Sequence, residues 1–231
     1  MMNRNSGKPE NPTKGTLVDA AYRRLKAAIL SNELLPGFQA TEPEMAALME
    51  MSRTPVREAL IRLQGEGLVD LVPRRGVRVL PVRASDMREI YDILTVLESS
   101  AAENIARMAP GDAELSPLDE ATAEMEAALE VEDLDAWAAA DDRFHRALLE
   151  INGNTRLIRI VSALMDQAHR ARMVTLRMRE KPERSTRDHR EILMSLRAGD
   201  AARAGALFRE HRRRAAEELL AILENYRLPV L

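Results

Sequence analysis

Between Thr41 and Gly76 the chain runs TEPEMAALMEMSRTPVREALIRLQGEGLVDLVPRRG, a stretch in which nearly every residue has a structural duty. Thr41 and Glu44 have capping-box spacing, which opens a short helix ending near Glu50. A second helix begins around Arg53 to Pro55, because proline is best tolerated in a helix's first turn. Val56, Ala59, Leu60 and Leu63 form its inner stripe, and Gly65 and Gly67 end it. Val69 to Val72 and Val77 to Val82 then have the pattern of a short hairpin with Pro73-Arg74-Arg75-Gly76 at its tip. Two short helices joined by a tight turn and followed by a hairpin predict a winged helix-turn-helix. The second helix is a rod of the right width for the major groove of B-DNA. Ser52, Arg53, Thr54 and Arg57 at its start supply donors for phosphates and base edges. The tip, with Arg75 and Gly76, is placed to lie against the minor groove or the backbone.

A winged helix-turn-helix needs far fewer than 231 residues, so the chain must carry a second unit. We expect a flexible polar tail over 1–15, the winged unit over 16–82 and a helical unit over 83–231. Leu17, Ala20, Ala21, Leu25, Ala28 and Ile29 predict a helix from about Thr16 to Ser31 ahead of the Thr41 run. From Ser85 on, only helical patterns occur, at about 85–109, 115–131, 133–152, 155–180, 183–198 and 200–226. Pro110-Gly111, Asp133, Gly153-Asn154, Pro182 and Gly199-Asp200 separate them. The expected fold class is therefore mainly α, a winged helix-turn-helix followed by a six-helix bundle. Aromatic residues make up only 3% of the chain, which agrees with helices over sheets. With no cysteine, thiolate metal sites and disulfides are excluded. No apolar run is long enough for a membrane span and the tail is no signal peptide, so a soluble cytoplasmic protein is expected. Residues 1–82 hold 12 Lys+Arg against 9 Asp+Glu, and residues 83–231 hold 22 against 28. Only the first unit is charged to face phosphate.

The stretch SRTPVREALIRLQGEGLVDLVPRRGVRV resembles the GntR family of bacterial transcription regulators. The segments DDRFHRALLEINGN, RDHREILMSLRAGD and FREHRRRA resemble the FCD ligand-binding domain of its FadR-type subfamily. The resemblance covers Thr16 to Tyr226 and implies a dimer on a short pseudo-palindromic operator. It also implies a small, usually carboxylate-bearing metabolite that alters DNA affinity. Arg53, Thr54 and Arg57 match the family's DNA-contacting positions, and Gly76 matches its wing-tip glycine. The chain departs from the pattern at Pro43, where the family often has a DNA-reaching arginine. It departs again at Leu94, where many FCD domains place an arginine.

The histidines carry the remaining signal. Asp141 and His145 are four apart and share one helix face with Leu148 and Leu149. His189 lies on the stripe of Ile192, Leu193 and Leu196, and His211 on that of Leu207, Phe208 and Ala215. One carboxylate and three imidazoles without a thiolate suit a divalent metal, Zn²⁺ first, with Ni²⁺, Mn²⁺ or Fe²⁺ as alternatives. His169 also lies on an apolar stripe, with Met165, Met173 and Leu176, and periodicity alone does not exclude it. The resemblance places it outside the ligand set, where it lines an effector pocket or packs. Arg143, Arg146 and Arg172 are positional candidates to clamp an effector carboxylate. The leading expectation is a metabolite-responsive DNA-binding repressor. Two alternatives stand beside it: a metal-dependent enzyme fused to a DNA-binding module, and a regulator whose metal is purely structural.

Overall fold

A computed structural model of the chain describes residues 14–225. These form two compact units. One holds the described residues up to Ile29 together with Gly37–Leu80, and the other holds Leu30–Pro36 and the residues from Pro81 on.

The first unit contains α1 (Lys14–Leu30), β1 (Gln39–Ala40), α2 (Glu42–Leu48), α3 (Arg53–Gly65), β2 (Val69–Val72) and β3 (Gly76–Val79). Helix α1 begins two residues before the expected start, so Lys14 and Gly15 are helical and not part of a tail. No proline lies between Pro12 and Thr16 to keep these residues out of the helix. The rest of the expected tail lies outside the described residues. The capping box of α2 forms: the Glu44 carboxylate accepts from the Thr41 N–H at 2.7 Å, and the Thr41 hydroxyl accepts from the Glu44 N–H at 3.4 Å. Glu50, at φ 53°, turns the chain sharply between α2 and α3. Val56, Ala59, Leu60 and Leu63 of α3 are fully buried, as their spacing requires. Gly67, at φ 71°, ends the helix region in the left-handed conformation that glycine adopts at little cost.

The wing is a three-stranded antiparallel sheet in the order β1-β3-β2. Strand β1 was not visible to periodicity, since two residues cannot show alternation. Strand β3 stops at Val79, short of the expected Val82, because Pro81 has no N–H to extend the ladder.

The second unit is the bundle of α4 (Ala84–Met108), α5 (Asp112–Glu130), α6 (Leu134–Asn152), α7 (Thr155–Thr175), α8 (Glu183–Arg197) and α9 (Ala201–Asn225). Helix α5 starts three residues before the expected 115, capped by the Glu114 carboxylate, which accepts from the Gly111 N–H at 2.9 Å. Pro117 is accommodated inside it in the second turn, where its missing N–H forfeits one intrahelical bond. Helix α7 ends at Thr175, not at 180, and continues only as a 3₁₀ turn over Leu176–Met178. The Thr175 hydroxyl donates back to the Ala171 carbonyl at 3.0 Å, and Arg179 beyond the turn is extended. Trp137 Nε1 donates to Thr186 Oγ1 at 2.8 Å and ties α6 to α8. No helix among the described residues is long and apolar enough to cross a membrane.

Candidate metal centre and nucleic-acid interface

Each ligand candidate stands on a helix whose apolar neighbours pull it inward. On α6, Ala138, Phe144, Leu148 and Leu149 are buried, which takes Asp141 and His145 into the bundle with them. Ile192, Leu193 and Leu196 do the same for His189 on α8, and Phe208 for His211 on α9. None of the four is more than 2% exposed. One donor atom from each lies within 4.8 Å of those of the others. His145 Nε2 and His189 Nε2 are 3.4 Å apart, and Asp141 stands 3.8 Å from the first and 3.6 Å from the second. Two nitrogens bound tetrahedrally to one ion at about 2.1 Å would be separated by about 3.4 Å. His169 is not among the converging donors; its Nδ1 lies 3.9 Å from Asp142.

The electrostatics favour neutral imidazoles facing a charged carboxylate. Burial pushes His145 well below the ordinary histidine value, aided by the Arg212 charge. Burial and then His211 push His189 down to about 3, and burial and then Arg212 push His211 down to about 4. Burial would raise the Asp141 carboxyl, but the Arg172 guanidinium and the imidazoles outweigh it and hold it well below the carboxylate range. A metal needs these protonation states, deprotonated nitrogens and an anionic oxygen, so the donor set fits a divalent cation. Two of the three rings have a carboxylate close to Nδ1. Glu98 Oε1 lies 3.2 Å from His145 Nδ1, and Asp188 Oδ2 lies 3.2 Å from His211 Nδ1. Only the His211 contact is a hydrogen bond; Nδ1 of His145 and Nδ1 of His189 are buried with no hydrogen-bond partner.

Beside the cluster lies a cavity of about 330 Å³, with Asp141, His211 and Arg172 in its wall. Arg172 is ion-paired with Asp141. Arg143 and Arg146 do not line this cavity. Arg143 is exposed and paired with Glu124; Arg146 is bonded to Asp142 at 2.6 Å and to Asp166 at 2.8 Å. Leu94 is fully buried in the core and offers no donor. Glu98 and Arg212 escaped the sequence reading. A lone carboxylate on the apolar stripe of Leu94, Ala101, Ala102 and Ile105 was the available signal that a buried cation faces it.

On the first unit, Ser52, Arg53, Thr54 and Arg57 are all exposed at the start of α3. Ser52 is the N-cap residue, yet its hydroxyl makes no capping bond. Arg57 has only a loose exposed contact, 3.6 Å from Glu42. Pro43 is exposed in the first turn of α2 and presents no donor. Arg75 is exposed at the wing tip, while Gly76 serves the backbone: at φ 87°, an added Cβ would overlap the Ala40 carbonyl on β1.

Residues 17–79 match the bacterial regulatory proteins of the gntR family, and residues 89–214 match the FCD domain. The chain belongs to the GntR family. This GntR-family chain is 46% identical over 134 residues to an HTH-type transcriptional regulator of Agrobacterium vitis from the TAR-I ttuE-ttuC' intergenic region. That match spans 57% of the chain and 78% of the relative. It is 26% identical to the HTH-type transcriptional repressor RspR of Escherichia coli (strain K12), over 93% of both proteins. A solved GntR-type regulator from Rhodococcus sp. RHA1 superposes with a TM-score of 0.76 at 28% identity, covering 88% of this chain and 97% of that one. The GntR-family chain is thus a DNA-binding transcription regulator, and its homologues and fold are those of regulators, not enzymes.

Proposed function

We propose that this regulator is a homodimeric cytoplasmic repressor whose operator affinity is set by a small carboxylate metabolite bound beside a metal. The observation that carries the reading is the Asp141, His145, His189 and His211 cluster opening onto the cavity that Arg172 also lines. A site of about 330 Å³ is at the small end of the roughly 300–1,000 Å³ range of ligand pockets, which suits a small metabolite. Asp141, His145, His189 and His211 would hold the ion, Zn²⁺ in preference to Ni²⁺, Mn²⁺ or Fe²⁺. When bound, it supplies a Lewis acid able to take a carboxylate oxygen. Arg172 orients that carboxylate with parallel N–H donors, and Trp137 and Leu176 in the wall exclude water. Buried imidazoles that stay neutral remain available as donors throughout the physiological pH range.

Ser52, Arg53, Thr54 and Arg57 would read a half-site of a pseudo-palindromic operator, with Arg75 at the groove edge and Gly76 shaping the wing. The short segment from Leu80 to Arg83, ahead of α4, leaves little slack, so ligand-driven change in the bundle would alter half-site spacing. Calorimetry with a panel of organic acids, on metal-loaded and chelated protein, tests the sensing role. Binding that requires the metal supports it. Acid binding unchanged after verified metal removal defeats it in favour of a purely structural ion.

A further inference from the structure

The wall of the cavity carries more basic than acidic groups: Arg172, Arg179, Lys181, Arg184, Arg212 and Arg214 against Asp141, Glu180 and Glu218. Arg172 from α7, Leu176 from the 3₁₀ turn and Arg179 beyond it all line the cavity. Arg172 has an acidic neighbour in Asp141. Other basic residues of the wall also have acidic partners: Arg214 pairs with Asp188, Arg212 with Glu98 and Lys181 with Glu132. Arg179 differs. Its Nε and Nη2 donate to the Thr175 hydroxyl, at 3.2 and 2.6 Å, and no carboxylate among the described residues is within ion-pair distance. Arg184, also in the wall, has no such partner among them either.

Burial holds the Arg179 guanidinium below the ordinary arginine value, so its charge is kept at a cost that a ligand anion would relieve. The 3₁₀ turn after Thr175 makes this placement possible, because it ends the helix and leaves Arg179 extended beside the cavity. We infer that the cavity takes an organic acid with two acidic groups, one held at the metal cluster and Arg172 and the second read by Arg179 and Arg184. This rests on the carboxylate-sensing reading above and goes beyond it by assigning the far end of the ligand. The second group is a carboxylate or a phosphate, since both accept the same guanidinium donors.

Titration calorimetry on the full-length, zinc-loaded protein tests this with two matched pairs: succinate against butyrate, and 3-phosphoglycerate against glycerate. The doubly acidic member of at least one pair should bind about tenfold more tightly or better, as expected for an added charge-assisted contact. A preference in the first pair names a carboxylate, and in the second a phosphate. Arg179→Gln should bring that ratio close to one, with zinc content and thermal midpoint checked. Arg184→Gln, at an exposed position, should lower the ratio without risk to the fold. Equal affinities within both pairs, or a preference that survives both substitutions, would overturn the inference while leaving carboxylate sensing intact. Binding of none of the four acids would overturn the carboxylate reading and this inference together.

Discussion

Oε1 of Glu98 on α4 lies 3.2 Å from Nδ1 of His145 on α6, and Arg212 of α9 grips the same carboxylate at 2.6 Å. The carboxylate thereby stands beside Nδ1 of His145, while Nε2 faces the cluster. Glu98→Gln keeps the shape but removes the charge. We expect metal affinity to fall about 10–100-fold, as for other outer partners of metal-bound histidines. Competition titration against a chelator measures it. A variant that binds metal as tightly as the parent would show that Glu98 serves Arg212 alone. Stability should fall as well, by about 3–5 kcal/mol, because a buried guanidinium loses its counter-charge.

Asp188 does the corresponding job for His211, at 3.2 Å, but is half-buried and shared with Arg214. Asp188→Asn should weaken metal binding by about tenfold, the lower end of the same range. The same chelator titration reads the result, and a loss larger than that of Glu98→Gln would reverse the proposed ranking.

Without metal, the stability of the bundle should fall as the solution is acidified from about pH 6.5 towards pH 4. His189 is pushed down to about 3 and His211 to about 4 in the folded chain, whereas an unfolded imidazole titrates near about 6.5. Across that window the unfolded chain binds protons that the folded chain refuses, so each histidine costs about 1.4 kcal/mol per pH unit. The depressed Asp141 carboxyl adds to the loss only below about pH 4, where unfolded carboxylates begin to protonate. Urea midpoints of the chelated protein at successive pH values give the profile. A flat profile between pH 6.5 and 4.5 would contradict the burial of these rings.

Adding zinc to chelated protein at about a thousand times its dissociation constant should stabilise the fold by about 4 kcal/mol. For a unit of this size that is a rise of roughly 10 °C in the thermal midpoint. Scanning calorimetry with elemental analysis checks it, and His189→Ala should abolish the rise.

On the first unit, Arg57→Ala should weaken operator binding by about 1–3 kcal/mol, the worth of one good base contact, and relax selection at one base pair. Gly76→Ala should act differently. Its Cβ would meet the Ala40 carbonyl, and its φ of 87° disfavours any side chain, so the wing distorts. Binding to all DNA sequences should then weaken together, with a lower thermal midpoint. Mobility-shift assays on the natural operator and on single-base variants separate the two patterns.

Much of the winged unit was legible because its signals are local. A capping box, a proline in a first turn, an inner stripe of four apolar residues and a glycine stop each act within a few residues. Asp141 and His145 were legible for the same reason, since a four-residue spacing places two side chains on one face. Where neighbouring groups competed, boundaries moved: the Gly111–Glu114 cap drew α5 forward.

The sequence by itself determined the class of fold, the outer face of α3 and which faces of α6, α8 and α9 turn inward. Periodicity reports a face, but not the helix it meets. Only the tertiary structure decided that His145, His189 and His211 converge on Asp141, and that Arg172 borders the cavity while Arg143 and Arg146 do not. It also decided that Glu98 meets Arg212, 114 positions away. The physical reason is the cost of burying charge: a buried carboxylate or guanidinium must find its partner in space, wherever along the chain that partner lies.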